Sequence, residues 1–430
     1  MALPPRPILE SPLAFSDGQL KTRAAVVGVY APPCVALVSP GWPPANSANG
    51  IVTYCRLMRD GLRSIGVRCS ILAGARNTGG EPGVVAVARA QTRVARAARR
   101  VVCAVTGRDG TYADALGVAA SRLARDGLCD LVEMEESLGR ARRVVERSRL
   151  PVVVRLHGPW VVVGRAIGAR ADQAFIRRVE EEGAGLRVAA GVSAPSWDVL
   201  VRVRAHYGLS LADAEVLPNP APVTGEAERW RWADSTAGRV LFVGRFDRCK
   251  GADVLLDAFA QVARRERAAG LTFVGPDRGL TDDADRRWGI QEYITERLGA
   301  VRERVEWLGQ RSAEEIRHLR RRAAVTVVCS RYENFPMVAL EAISMGCPLV
   351  ATAVGGLKEI VQDGRNGLLC RAGDPGDLAE KILTLLCDRP LAERLGRQAA
   401  VDCEERYHPE VVARQTLAFY SRVLERAKRQ

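Results

Sequence analysis

The residue types best suited to chemistry lie in the second half of the chain. Glu333 and Glu341 frame the run Glu333-Asn334-Phe335-Pro336-Met337-Val338-Ala339-Leu340-Glu341, with seven residues between them. The run follows an apolar stretch, Ala324–Cys329, and turns into a helix near Met337. A carboxylate at a strand mouth can accept two hydroxyl hydrogens of a sugar or ribose, and the N–H groups of a helix start attract phosphate. Taken alone, the two glutamates could equally be ordinary helix-start charges. A second run, Gly244-Arg245-Phe246-Asp247-Arg248-Cys249-Lys250-Gly251, follows a strand and opens a helix. Arg245 and Lys250 would project from the same end of the sheet, and two cations aimed at one point suit a diphosphate. The plain alternative is a solvated basic loop. A third run sets Gly355-Gly356 after a strand, with Glu359 and Asp363-Gly364-Arg365-Asn366-Gly367 beyond. Glycines there allow backbone to approach a ligand closely.

The first half holds fewer such groups. Arg155-Leu156-His157-Gly158-Pro159-Trp160 ends a buried strand, and Ala45-Asn46-Ser47-Ala48-Asn49-Gly50 ends the first βα turn. Glu133, Glu135 and Glu136 follow another strand end. They could read acceptor hydroxyls or simply start a helix at Ser137; the plainer reading is preferred.

Positioning these groups falls to βα repeats, because short apolar runs alternate with longer amphipathic stretches. Strands are expected at Cys34–Ser39, Val67–Leu72, Val101–Val105, Leu128–Glu133, Pro151–Leu156, Val188–Ser193 and Ala214–Leu217, with a helix at Ile51–Ile65. Residues 218–238, with three prolines and two glycines, read as a linker. Beyond it strands are expected at Val240–Val243, Leu271–Val274, Val305–Leu308, Ala324–Cys329 and Pro348–Ala351. Ser312-Ala313-Glu314-Glu315 forms a capping box, and helices are expected at Ala252–Arg265, Asp374–Leu386 and from Pro409 to Ala427. Two doubly wound sheets place two crevices at their strand ends, and the cleft between them is the default active site.

Composition narrows the class. The 430 residues are 47% hydrophobic, enough for two cores, and no apolar run reaches membrane-spanning length. Eleven scattered cysteines without a Cys-x-x-Cys pair, and four histidines without metal-ligand spacing, fit a reducing cytoplasm and argue against a zinc site. Residues 1–24 read as a loosely ordered leader without the pattern of a signal peptide. The net charge of +13 favours anionic partners without choosing among them, and no nucleic-acid-binding module is evident.

The three motifs of the second half, in this order, resemble the family-four retaining glycosyltransferases of the GT-B fold. The likeness extends through Gly346-Cys347-Pro348-Leu349-Val350-Ala351-Thr352, Gly355-Gly356-Leu357-Lys358-Glu359-Ile360-Val361-Gln362-Asp363-Gly364 and Asn366-Gly367-Leu368-Leu369; Lys358 stands where the family often has Pro. In the first half, Gly50 resembles the family's glycine-rich loop, though Asn49 replaces a glycine, and His157 resembles its active-site histidine.

The resemblance implies two Rossmann-like α/β domains facing each other across a cleft. Residues 25–217 would form an acceptor-side domain, 239–406 a donor-binding domain, and 407–430 a helix crossing back to the first. It implies transfer from a nucleoside diphosphate sugar to a hydroxyl acceptor (a glycan, lipid-linked saccharide or small metabolite) with retained configuration and no metal or other cofactor. Glu333, His157, Arg245 and Lys250 would be catalytic. Gly50, Arg245, Lys250, Glu333, Asn334, Phe335, Pro336, Met337 and Glu341 would hold the donor, with Glu341 on the ribose; Asn49 and Trp160 would meet the acceptor. The same fold could carry a nucleotide-sugar hydrolase or epimerase, or a silent nucleotide-sugar binder. A stripe of Arg89, Arg93, Arg96 and Arg100 reads either as a solvated face or as a peripheral contact with the anionic inner face of a membrane.

Overall fold

In the computed structural model, the alternation resolves into two parallel sheets flanked by helices. The structure describes residues 32–44, 49–74, 80–87, 110–282 and 284–429. The first half runs β1 (Val35–Ser39), α1 (Gly50–Ser64), β2 (Cys69–Ala73), β3 (Val84–Ala86), α2 (Gly110–Arg125), β4 (Leu131–Glu135), α3 (Arg140–Ser148), β5 (Val152–Arg155), α4 (Trp160–Ala166), α5 (Gln173–Val188), β6 (Gly191–Ala194), α6 (Trp197–Tyr207) and β7 (Glu215–Val216). The second runs β8 (Arg239–Val243), α7 (Ala252–Arg265), β9 (Gly270–Val274), a two-stranded ribbon of β10 (Leu280–Thr281) and β11 (Arg287–Trp288), α8 (Ile290–Arg297), β12 (Val305–Gly309), α9 (Ala313–Arg322), β13 (Val325–Val328), α10 (Met337–Ser344), β14 (Leu349–Thr352), α11 (Leu357–Ile360), β15 (Leu368–Cys370), α12 (Pro375–Cys387), α13 (Arg389–Tyr407) and α14 (Pro409–Arg429).

The first sheet has strand order β3-β2-β1-β4-β5-β6-β7 and the second β12-β9-β8-β13-β14-β15. Both are parallel throughout. The winding reverses between β1 and β4 in one sheet and between β8 and β13 in the other. The loops leaving these strands diverge there and open a crevice. The loops carrying Asn49, Glu136, Arg245, Lys250 and Glu333 leave those four strands.

The inner strands β1, β4, β5, β6, β13 and β14 are buried on both faces, as parallel strands under helices must be. The apolar faces of α7 and α12 cover β8, β9 and β13. Helix α14 belongs to the core of the first sheet, where Val412, Ala413, Phe419, Tyr420 and Val423 meet β1, α1 and β2. Its crossing with α1 is close enough that a Cβ on Gly61 would lie 2.4 Å from the Pro409 carbonyl oxygen. Tyr420 Oη donates to Glu133 Oε2 at 2.8 Å and Tyr54 Oη to Glu133 Oε1 at 2.7 Å, so the carboxylate is satisfied inside the core. From Pro33 onward the chain is one compact unit.

Several expectations shift. Strand β4 begins at Leu131, not Leu128, because Gly127 takes φ 68° and the turn it makes ends α2. Strand β3 was not anticipated; it is a three-residue, half-exposed edge strand. Nor was α13, whose buried positions Ala392, Leu395, Ala399 and Cys403 are spread through a mostly charged sequence. No helix start follows directly at Ser137: a 3₁₀ turn intervenes, with Leu138 at φ 58°, and α3 opens at Arg140. Within the linker residues 218–238, Asn219 and Trp230 pack into the body of the structure. Trp230 is buried, with its backbone N–H donating to Met345 O and its Nε1 to Ala323 O. The expected strand Val101–Val105, and Arg89, Arg93, Arg96 and Arg100, lie outside the described residues. Among the described residues, no helix is long and apolar enough to cross a membrane.

Candidate active site

Glu333 leaves β13 in the segment Ser330–Pro336 and is only 9% exposed. Its Oε1 accepts from Lys250 Nζ at 2.5 Å and from Ser330 Oγ at 2.6 Å. Glycines hold the segment in place from beneath. A Cβ on Gly355 would lie 2.0 Å from the Glu333 carbonyl oxygen, and one on Gly356 2.0 Å from that of Asn334. The missing side chains of Gly355 and Gly356 thus make room for neighbouring backbone.

Lys250 comes from the β8–α7 loop. Its ammonium is held above the ordinary lysine range by the Glu333 carboxylate, which outweighs the opposing effect of burial. Arg245 is turned differently. Its Nε pairs with Asp247 Oδ2 at 2.6 Å on a half-exposed side chain, while Asp247 Oδ1 also accepts the Lys250 backbone N–H. Each of the two cations thus has a carboxylate partner, Lys250 that of Glu333 and Arg245 that of Asp247.

Helix α10 opens at Met337 after Pro336, and no side chain caps it. Its first turn therefore keeps donors available for an anion. Phe335 cannot offer its ring to a ligand; it is buried edge-on against Tyr407, with centroids 5.8 Å apart. Only its backbone is in play, and its carbonyl accepts Asn219 Nδ2 at 3.1 Å. Glu341, one turn into α10, receives the buried Arg320 guanidinium at 2.7 Å and keeps part of its carboxylate exposed.

The first sheet supplies the facing wall. Asn334 Nδ2 donates to the His157 carbonyl at 2.6 Å, and a Cβ on Gly50 would come within 3.7 Å of Met337 Cγ. Glu333, Lys250, Asn334, Met337, His157 and Gly50 thus converge. The His157 ring lies edge-on to Tyr54, centroids 4.7 Å apart. Burial, then repulsion from Arg155, hold its imidazole well below the ordinary histidine range, so it is neutral at pH 7. Arg155 is fully buried and donates to Leu217 O and Asn219 Oδ1, which fixes the junction between the halves.

Other first-half residues have partners of their own. Asn49 caps α1, its Oδ1 accepting the Ile51 N–H at 2.8 Å. The Trp160 ring is covered by Arg178 at 3.8 Å. Glu136 accepts the His157 and Gly158 N–H groups at 2.8 and 2.7 Å, and Glu182 that of Trp160 at 2.7 Å. Both carboxyls are pushed above the ordinary range, Glu136 by burial and the neighbouring Glu182 charge, Glu182 by burial. These two acids shape the His157 loop, a role no linear spacing announces. Glu359 has one too: its carboxylate accepts the N–H groups of Trp197 and Asp198, while Tyr332 Oη donates to Asp198 Oδ2 at 3.0 Å. Among the described residues, no group of three or more His, Cys, Asp or Glu side chains could hold a metal.

Residues 226–402 match the model of the family "Glycosyl transferases group 1". An uncharacterized glycosyltransferase of Methanocaldococcus jannaschii is 36% identical over 156 residues, 36% of this chain and 40% of its own length. A D-inositol 3-phosphate glycosyltransferase of Streptomyces bingchenggensis is 32% identical over 281 residues, 60% and 59% of the two. The chain therefore spans less than two thirds of these relatives. Among solved structures, the sucrose-phosphate synthase of Thermosynechococcus elongatus superposes with a TM-score of 0.67 at 23% identity, over 91% of this chain and 99% of the other. Anabaena HepE in complex with UDP and glucose gives 0.65 at 19% identity, over 91% and 100%. At such identity the likeness speaks for the fold, which is GT-B. The group 1 match contains Lys250, Glu333 and Glu341 and leaves His157 and Gly50 outside it.

Proposed function

We propose that this chain is a group 1 glycosyltransferase that moves a sugar from a nucleoside diphosphate sugar to a hydroxyl acceptor, with the anomeric configuration retained and without a metal ion. The observation that carries the reading is the Lys250–Glu333 pair, set beside an uncapped helix start and facing His157 across the cleft. The relative bound to UDP and glucose supports a nucleotide sugar as donor, and a UDP sugar is the first to test.

In this reading the diphosphate lies at the start of α10, where Lys250 and the helix N–H groups stabilise charge as the bond from the anomeric carbon to phosphate oxygen breaks. The acceptor oxygen bonds to that carbon from the same face, and its proton passes to the departing phosphate oxygen. Glu333 holds sugar hydroxyls and balances positive charge at the ring; neutral His157 contacts the sugar from the other wall; Glu341, steadied by Arg320, holds the ribose. Arg245 acts once ligand phosphate competes with Asp247 for its guanidinium.

The test incubates the purified chain with a panel of nucleoside diphosphate sugars, with and without candidate hydroxyl acceptors, and follows nucleoside diphosphate and glycoside together. Acceptor-dependent release with an equal amount of new glycoside is expected. Release equal with and without acceptor, and no glycoside, would replace transfer with hydrolysis.

A further inference from the structure

A second cluster of cations surrounds a cavity beside the Glu333 segment. Helices α4 and α6, together with Arg331 and Tyr332, enclose a cavity of about 730 Å³. Arg165, Arg202, His206 and Arg331 stand around it, over an apolar floor that includes Val161 and Val162. Arg202 is gripped by Asp198 at 2.7 and 3.3 Å and lies over the Tyr332 ring, 5.4 Å from its centroid. Arg331 makes a two-point pair with Asp253, both distances 2.7 Å. Arg165 has no carboxylate partner among the described residues. The local balance is therefore positive, and His206 registers it. Its imidazole is held below the ordinary histidine range by burial and then by the Arg165 charge.

The walls continue the two segments that meet at the site. Helix α4 opens just after His157-Gly158, and Arg331-Tyr332 immediately precede Glu333. A molecule whose hydroxyl reaches the His157–Glu333 cleft would thus extend into the cavity. Planar guanidinium forks suit phosphate oxygens. Beside it, the exposed Trp197 (58%) and Val201 (55%) share a face of α6 with Ala205 of the cavity wall.

We infer that this cavity is a subsite for a phosphate group on the acceptor, with Arg165 and Arg202 as its forks. Calling the bound molecule the acceptor rests on the glycosyl-transfer reading; the binding of phosphate does not. The phosphate could belong to a soluble monoester or to a lipid headgroup, and both present the same oxygens to the forks.

The test follows the His206 imidazole by NMR in the full chain as inorganic phosphate is added at constant ionic strength, with saturating UDP present to occupy the donor side. The His206 titration midpoint is expected to rise, because a bound anion stabilises the imidazolium. Arg165→Ala should weaken phosphate at least roughly tenfold, and Arg165→Lys should recover part of the loss. A midpoint that ignores phosphate, or moves equally in Arg165→Ala, overturns the subsite. Retained phosphate binding in a chain that transfers no sugar would leave the subsite standing and remove only its acceptor role. Co-sedimentation with phosphatidic acid vesicles, lost in Arg165→Ala, assigns the lipid source; phosphate binding without co-sedimentation assigns the soluble one.

Discussion

Glu359 reaches across the cleft and takes the backbone N–H of Asp198, at 3.1 Å, into its carboxylate. Its other oxygen accepts from Trp197 at 3.0 Å, so a residue of the second half caps a helix of the first. Removing a capping carboxylate typically costs about 1 kcal/mol. Glu359→Ala should lower stability by about that much and open the two halves. Small-angle scattering should give a larger radius of gyration for the variant, and saturating donor should close part of the difference. Identical scattering curves would show that the cap does not hold the halves together.

Lys250 and Glu333 should not be separable. Lys250→Ala removes a charge partner of the leaving diphosphate, a loss of about 3–4 kcal/mol and so roughly a hundred- to thousandfold in turnover. It also leaves the buried Glu333 carboxylate without its cation, so the variant should lose stability as well. Adding Glu333→Gln should restore stability but not activity. Turnover at saturating donor and chemical denaturation of the two variants check this; near-normal turnover in Lys250→Ala would remove the residue from the mechanism.

Glu341 touches ribose in the proposed complex, a contact that changes little between ground and transition states. Glu341→Gln should therefore raise KM for the donor with kcat nearly unchanged. Steady-state rates across donor concentrations decide it, and a fall in kcat alone would assign Glu341 to the chemical step.

The stereochemical and metal predictions are checked together. The glycoside formed should keep the donor's anomeric configuration, read from its anomeric coupling by NMR. EDTA should leave turnover nearly unchanged. An inverted product contradicts the retaining assignment, and activity abolished by EDTA and restored by manganese contradicts metal independence.

The buried acids predict a pH dependence of stability. Glu136 is raised from 4.5 to about 8, so the folded chain keeps a proton that the unfolded chain releases, and stability falls as pH rises through that window. His157 acts oppositely: lowered from 6.5, it refuses a proton that the unfolded chain takes up, so its contribution is lost as pH drops below about 6.5. Glu182→Gln removes the neighbouring charge that helps raise Glu136, and should flatten the decline toward pH 8. Urea unfolding from pH 5 to 8 measures both slopes; a Glu182→Gln slope equal to the wild type's would show that the two acids do not communicate.

What could be read from sequence was what repeats locally. The strands β8, β9, β12, β13 and β14 are short, largely apolar stretches, and the Lys250 and Glu333 segments follow two of them, so the loops carrying the site were legible. Partnership across long separations was not. Nothing beside Arg245 distinguishes a free guanidinium from one held by Asp247, and nothing beside Gly355 says that neighbouring backbone fills the space of its missing side chain. Glu359 stood within a legible motif, yet its partners Trp197 and Asp198 lie more than 160 residues away. Glu136 and Glu182 come together only once α5 folds back toward the His157 loop.

The tie between Glu133 and Tyr420 also sets an order of events during synthesis. The two residues are 287 positions apart, so at about 5–20 residues per second the ribosome needs roughly 15–60 s between them. Throughout that interval the nascent first sheet lacks the helix that covers one of its faces, and Glu133 lacks one of its two tyrosine donors. The amino-terminal half therefore cannot finish as an independent unit while the rest is being made. It must wait, partly uncovered, for a helix translated after the entire second half.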